Sequence, residues 1–142
     1  MKQGSAQLLL IGTLLLAASI SFAGPNDSTQ GKGSMLFRNY CLRCHGADGA
    51  GSVNIVQNSV WTKEPSELVK IIAFGARGPG YKTTGYHRAM PPAPYKDDEI
   101  ALVAMYAMQK IGRRDVVVTP DDVRRTRQQH FDSVKRKIDR KR

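Results

Sequence analysis

Cys41-Leu42-Arg43-Cys44-His45 holds both cysteines of the chain, two residues apart, with a histidine directly behind the second. A disulfide across so short a span is strained and gives His45 no task. A structural zinc needs four ligands, and the other histidines, His87 and His130, stand far along the chain. A redox dithiol of the thioredoxin kind sits in a strand–helix unit, and no strand pattern precedes Cys41. The pattern C-x-x-C-H instead has the geometry of covalent haem attachment. On one helical turn, each thiol can add to one vinyl group of the same porphyrin. The histidine that follows is then held beneath the ring, where its neutral imidazole ligates iron.

The rest of the chain reads as short helices separated by loops. Ser34 to Tyr40 forms a helix leading into the motif, and Gly33, Phe37 and Cys41 recur every four residues on one face. Gly46 to Gly51 is a glycine-rich loop. Pro65-Ser66-Glu67 opens a helix over Leu68 to Phe74, which Gly75 stops. Gly75 to Pro94 is an extended loop rich in glycine and proline, without strand periodicity. Lys96-Asp97-Asp98-Glu99 places acids at the start of a third helix, where they complement its dipole. That helix runs to about Lys110, with Ile100, Val103, Ala104, Ala107, Met108 and Ile111 as its apolar stripe. Three short helices make a poor core by themselves. A porphyrin at the centre supplies what they lack, giving an all-α domain built around a covalently bound haem c.

From about Gly31 to Ile111, over half of the chain, the sequence resembles the class I cytochromes c. The resemblance is carried by Gly33-x-x-x-Phe37-x-x-x-Cys41, the attachment motif, Gly46-Ala47-Asp48-Gly49-Ala50-Gly51, Met90-Pro91-Pro92 and a final helix with Tyr106. It implies the small cytochrome c fold, three to four short helices around the haem. It also implies that the first and last helices cross with Gly33 facing the aromatic Tyr106. Cys41 and Cys44 are the expected thioether links, and His45 the proximal iron ligand.

The resemblance points to Met90, 45 residues after His45, as the distal iron ligand. The neighbouring prolines fix the backbone around it and remove donors, and a thioether favours ferrous iron and raises the potential. His87, three residues away, is the competing ligand. Met35, Met105 and Met108 fall on helices and read as core filler. Trp61 reads either as a donor to a haem propionate or as a core side chain. Tyr81 and Tyr86 pack near the propionates or anchor their loop, and Arg43 is expected at the surface near the haem edge.

The ends of the chain differ from its middle. Met1-Lys2-Gln3, the apolar Leu8 to Ala18 and Ser21-Phe22-Ala23 form a signal-peptide pattern, residues 1–23, with Gly24 as the mature start. The apolar run is short of the roughly 20 residues of a membrane span; an uncleaved anchor facing the periplasm is the alternative. The formal charge is +10. Residues 24–112, the haem domain, carry ten basic and seven acidic residues, whereas residues 113–142 carry eleven basic and five acidic. Thr119-Pro120-Asp121-Asp122 starts a further helix to about Ile138, with Val123, Phe131, Val134 and Ile138 as a thin apolar seam. Export excludes nucleic acid as the partner of this basic extension and leaves an acidic redox partner or an anionic membrane surface.

These readings combine into a periplasmic monohaem carrier of single electrons, not itself an enzyme. Its donor is a dehydrogenase or quinol-oxidising complex, and its acceptor an oxidase or another cytochrome. The alternative is a haem protein that binds or reduces a small ligand at an open or His-ligated sixth position.

Overall fold

Five α-helices and a 3₁₀ turn appear in a computed structural model that describes residues 27–76 and 89–142. They are α1 (Asp27–Tyr40), α2 (Leu42–His45), the turn Ser59–Thr62, α3 (Pro65–Phe74), α4 (Asp97–Lys110) and α5 (Pro120–Asp139). No β-strand occurs among the described residues; the nearest feature is an isolated antiparallel bridge between Ala76 and Met90. The fold is a small all-α cytochrome c fold. The signal-peptide pattern and the Tyr81–His87 stretch lie outside the described residues.

α1 begins seven residues before the expected Ser34. Its first turns are polar or glycine-bearing and show no apolar period, so packing supplies what propensity does not. The contact that does this is the crossing of α1 over α4. A Cβ added to Gly33 would lie 2.6 Å from the Leu102 carbonyl oxygen and 2.9 Å from the Tyr106 Cβ. Only glycine therefore permits the two backbones to come so close. One turn later Phe37 fills the space beside the crossing, its ring centroid 5.5 Å from that of Tyr106. The expected glycine–aromatic crossing is present.

The stripe expected on the third helix is the buried face of α4: Ile100, Val103, Ala104, Ala107, Met108 and Ile111 all lie in the core. They meet Phe37 from α1, Leu68, Val69 and Ile72 from α3, and Val60 and Trp61 from the 3₁₀ turn. α4 is started by Glu99, whose carboxylate accepts from the Lys96 backbone N–H at 2.8 Å. Met108 is a core side chain as expected, but Met35 is 55% exposed on α1 and fills nothing.

The chain beyond α4 joins the same core. Val118 and Val123 are buried with it. The Arg114 guanidinium donates to the carbonyls of Trp61 (2.6 Å) and Lys63 (2.7 Å), closing the segment after α4 onto the 3₁₀ turn. α5 packs on α3 and α4 through its first half, with Thr126 buried and Arg127 paired to Asp97 at 2.8 Å. The expected seam holds only at Val123. Phe131 (57% exposed), Val134 and Ile138 face outward. The face that meets α3 and α4 runs through Val123, Thr126 and His130; Phe131 stands beside it with its ring edge-on to Phe74 of α3, centroids 5.6 Å apart, while Val134 and Ile138 are left exposed.

Candidate haem-attachment site

α1 ends at Tyr40, and the next two turns of chain carry the motif. The Cys41 N–H donates to Phe37 (2.8 Å), so Cys41 still continues α1, and the His45 N–H donates back to the Cys41 carbonyl at 3.0 Å. Both thiols are free, Cys41 buried and Cys44 partly exposed. Burial, with a smaller contribution from Cys44, pushes the Cys41 thiol up to about 11. It is therefore a neutral thiol at physiological pH.

The loop after the motif folds back over it. Gly51 N–H donates to the His45 carbonyl and Val53 N–H to the Cys44 carbonyl, both at 2.8 Å. The Ser52 hydroxyl adds a bond to Cys44 at 3.2 Å. This return brings the Val53 carbonyl to 3.0 Å from His45 Nδ1. A carbonyl only accepts, so Nδ1 carries a proton, and in the neutral imidazole Nε2 is then the nitrogen with the free lone pair. An imidazole oriented in this way is the form that ligates a metal, with the backbone carbonyl fixing the tautomer. Two free thiols separated by two residues, beside an Nε2 donor, fit haem c.

Met90 lies in a segment held against the end of α3. It exchanges both backbone hydrogen bonds with Ala76, each at 3.0 Å, and Ala93 N–H donates to Ile72 at 2.9 Å. Gly75, with φ of 76°, makes that approach possible: a Cβ there would collide with the Met90 carbonyl and lie 3.0 Å from Pro92 N. The segment also touches α1, because the Tyr40 hydroxyl donates to the Pro92 carbonyl at 2.9 Å. Tyr40 immediately precedes Cys41, so the Met90 segment is tied to the end of the attachment helix. A second tie runs the other way, from the Tyr95 hydroxyl to the Leu36 carbonyl at 2.7 Å. Burial, and after it the proximity of Cys41, raises the Tyr95 hydroxyl above its ordinary value.

Trp61 resolves to the core reading: it is buried, and its indole N–H is committed to the Ile55 carbonyl at 2.5 Å. Arg43 is exposed as expected. The competing ligand His87, with Tyr81 and Tyr86, lies outside the described residues. Among the described residues no group of three or more His, Cys, Asp or Glu side chains is placed to hold a bare metal ion. Val53, Tyr40 and Tyr95 were not legible as site residues beforehand. Val53 acts through its backbone, which has no signature in a sequence. Tyr95 works through a partner 59 residues away.

A helix leading into two thiols and an oriented histidine, crossed at a glycine by α4, defines a c-type cytochrome. Comparison with known proteins agrees: residues 28–106, over half of the chain, match the family model described as cytochrome c oxidase, cbb3-type, subunit III, and the chain belongs to this family of class I c-type cytochromes. It is also similar to the fructose dehydrogenase cytochrome subunit of Gluconobacter japonicus, 28% identical over 109 residues. That match covers 67% of this chain and 22% of the relative, so the chain spans about a fifth of that protein's length. The family carries covalently bound haem c and serves electron transfer.

Proposed function

We propose that Cys41 and Cys44 form the thioether links, that His45 and Met90 are the axial iron ligands, and that residues 24–112 form the haem domain of a monohaem carrier of single electrons. When bound, haem c supplies the one-electron iron couple. The polypeptide attaches it, orients His45 through Val53, restrains Met90 between α1 and α3, and excludes water with the α1–α4 crossing. The observation that carries this reading is the Val53 carbonyl on His45 Nδ1, 3.0 Å away. It directs Nε2 outward from a motif whose thiols are both free.

The carrier is exported to the periplasm, with the signal cleaved near Ala23, and it acts without catalysing a reaction of its own. A dehydrogenase is the favoured donor, since the relative in Gluconobacter is named as the cytochrome subunit of one; an oxidase or another cytochrome is the acceptor. Among the described residues no helix is long and apolar enough to cross a membrane. Residues 113–142 bring the molecule to its place of work. The far half of α5 sets Phe131, Val134 and Ile138 outward beside Lys135, Arg136 and Lys137, suited to an acidic partner or an anionic lipid surface.

The test is made in a host that matures c-type haem. Wild-type protein retains haem through acidified-acetone extraction. Cys41→Ser and Cys44→Ser each keep one link, and the alkaline pyridine spectrum of each shifts to that of a haem with one free vinyl group. Haem extracted intact from the wild type contradicts the assignment of both thiols.

A further inference from the structure

We propose that Tyr40 and Tyr95 are a reciprocal pair of positioning residues that hold the Met90 segment to the attachment helix and oppose release of Met90 from iron. The proposal rests on Met90 being the distal ligand. The segment Met90 to Tyr95 lies between two helices. On the α3 side it is held by backbone bonds, through the Ala76–Met90 pair and from Ala93 to Ile72. On the α1 side the two ties come from side chains, and they cross. Tyr40 of α1 donates to Pro92 in the segment at 2.9 Å, while Tyr95 of the segment donates to Leu36 in α1 at 2.7 Å.

The chemistry of the segment explains why tyrosines do this. Pro91, Pro92 and Pro94 have no N–H to donate, and the Met90 and Ala93 N–H groups are taken by Ala76 and Ile72, so toward α1 the backbone offers carbonyls. A hydroxyl donor must come from outside, and Tyr40 supplies it. Leu36 and Tyr40 are one helical turn apart, so both ties fall on the same face of α1. The two rings also meet edge to face, centroids 5.9 Å apart at 64°. Tyr40 stands next to Cys41, so the pair couples the chain that carries haem to the chain that carries Met90. For Met90 to leave, its segment must move away from α1, and both hydroxyl bonds break.

The experiment is an imidazole titration of the ferric holoprotein. Imidazole enters only where Met90 has left, so its apparent affinity scales with the population of that detached state. Losing one such hydrogen bond raises that population about fivefold. Tyr40→Phe and Tyr95→Phe keep their rings, and each should lower the apparent Kd for imidazole about fivefold, with the double variant lower still. Thr62→Ala, which removes the comparable hydroxyl bond to Ser59 away from the site, should leave that Kd unchanged. A methionine–iron band in the wild type with an imidazole Kd unchanged in both tyrosine variants, whatever their melting temperatures, overturns the tyrosine proposal alone. Absence of that band in the wild type overturns the Met90 assignment, and the proposal falls with it.

Discussion

Gly33 is where a single hydrogen in place of a methyl group decides how two helices meet. In Gly33→Ala the new Cβ has the Leu102 carbonyl 2.6 Å away, and backbone cannot yield as a flexible side chain does. The crossing must open, at a cost of roughly 1–3 kcal/mol. Thermal unfolding of the holoprotein, followed by circular dichroism, should show a lowered Tm, and an unchanged Tm would contradict the close approach. Trp61 is a residue of the same rank. Trp61→Phe leaves the Ile55 carbonyl without its indole donor and should destabilise by about 1–3 kcal/mol in denaturant unfolding. The sequence announced these residues unequally. Cys41, Cys44 and His45 were legible because their chemistry lies within five consecutive positions. Gly33 and Tyr106 were legible through family resemblance. Val53 and the Tyr40–Pro92 tie were not, because each works through a backbone carbonyl that every residue possesses.

At the scale of elements, α5 is begun by a reciprocal cap. The Thr119 hydroxyl accepts from the Asp122 N–H at 3.2 Å, and the Asp122 carboxylate accepts from the Thr119 N–H at 2.8 Å. Thr119→Ala should cost about 1 kcal/mol. The hydrogen bonds from the Thr119 side chain and backbone, with help from Arg125, hold Asp122 below its ordinary 3.8. Its folded pKa is depressed, so the cap's contribution is complete above 3.8 and fades as pH falls from there through the lower folded value. Acid titration followed by hydrogen exchange at the start of α5 should show that loss, and Asp122→Asn should abolish its pH dependence. The Thr-Pro-Asp-Asp start was legible because capping is local. The early start of α1 was not, since its polar, glycine-bearing turns are stabilised by a crossing formed with α4. Nor was the exposure of Phe131, Val134 and Ile138, which depends on how far along α5 its contacts with α3 and α4 reach.

For the whole molecule, the basic extension has two roles that its charge alone does not separate. The near half of α5 is structural: Val123 is completely buried. Val123→Ala should destabilise the haem domain by about 2 kcal/mol, measured by guanidinium unfolding of the haem absorbance. The far half leaves Phe131, Val134 and Ile138 exposed, and a surface contact there is the role proposed for it. Holoprotein should sediment with vesicles containing anionic lipid at low salt and be released as salt is raised. Phe131→Ser with Ile138→Ser should weaken that association without altering the haem spectrum; sedimentation indifferent to both lipid charge and these substitutions would leave an acidic protein as the partner of this face.

Whether this chain holds haem c between His45 and Met90 is read in the near-infrared spectrum of the ferric holoprotein. The wild type should show the weak methionine–iron absorption band. Met90→Ala should lose that band and, once reduced, bind carbon monoxide, which the wild type resists. A wild-type spectrum without the band, or a band that survives in Met90→Ala, contradicts the assignment.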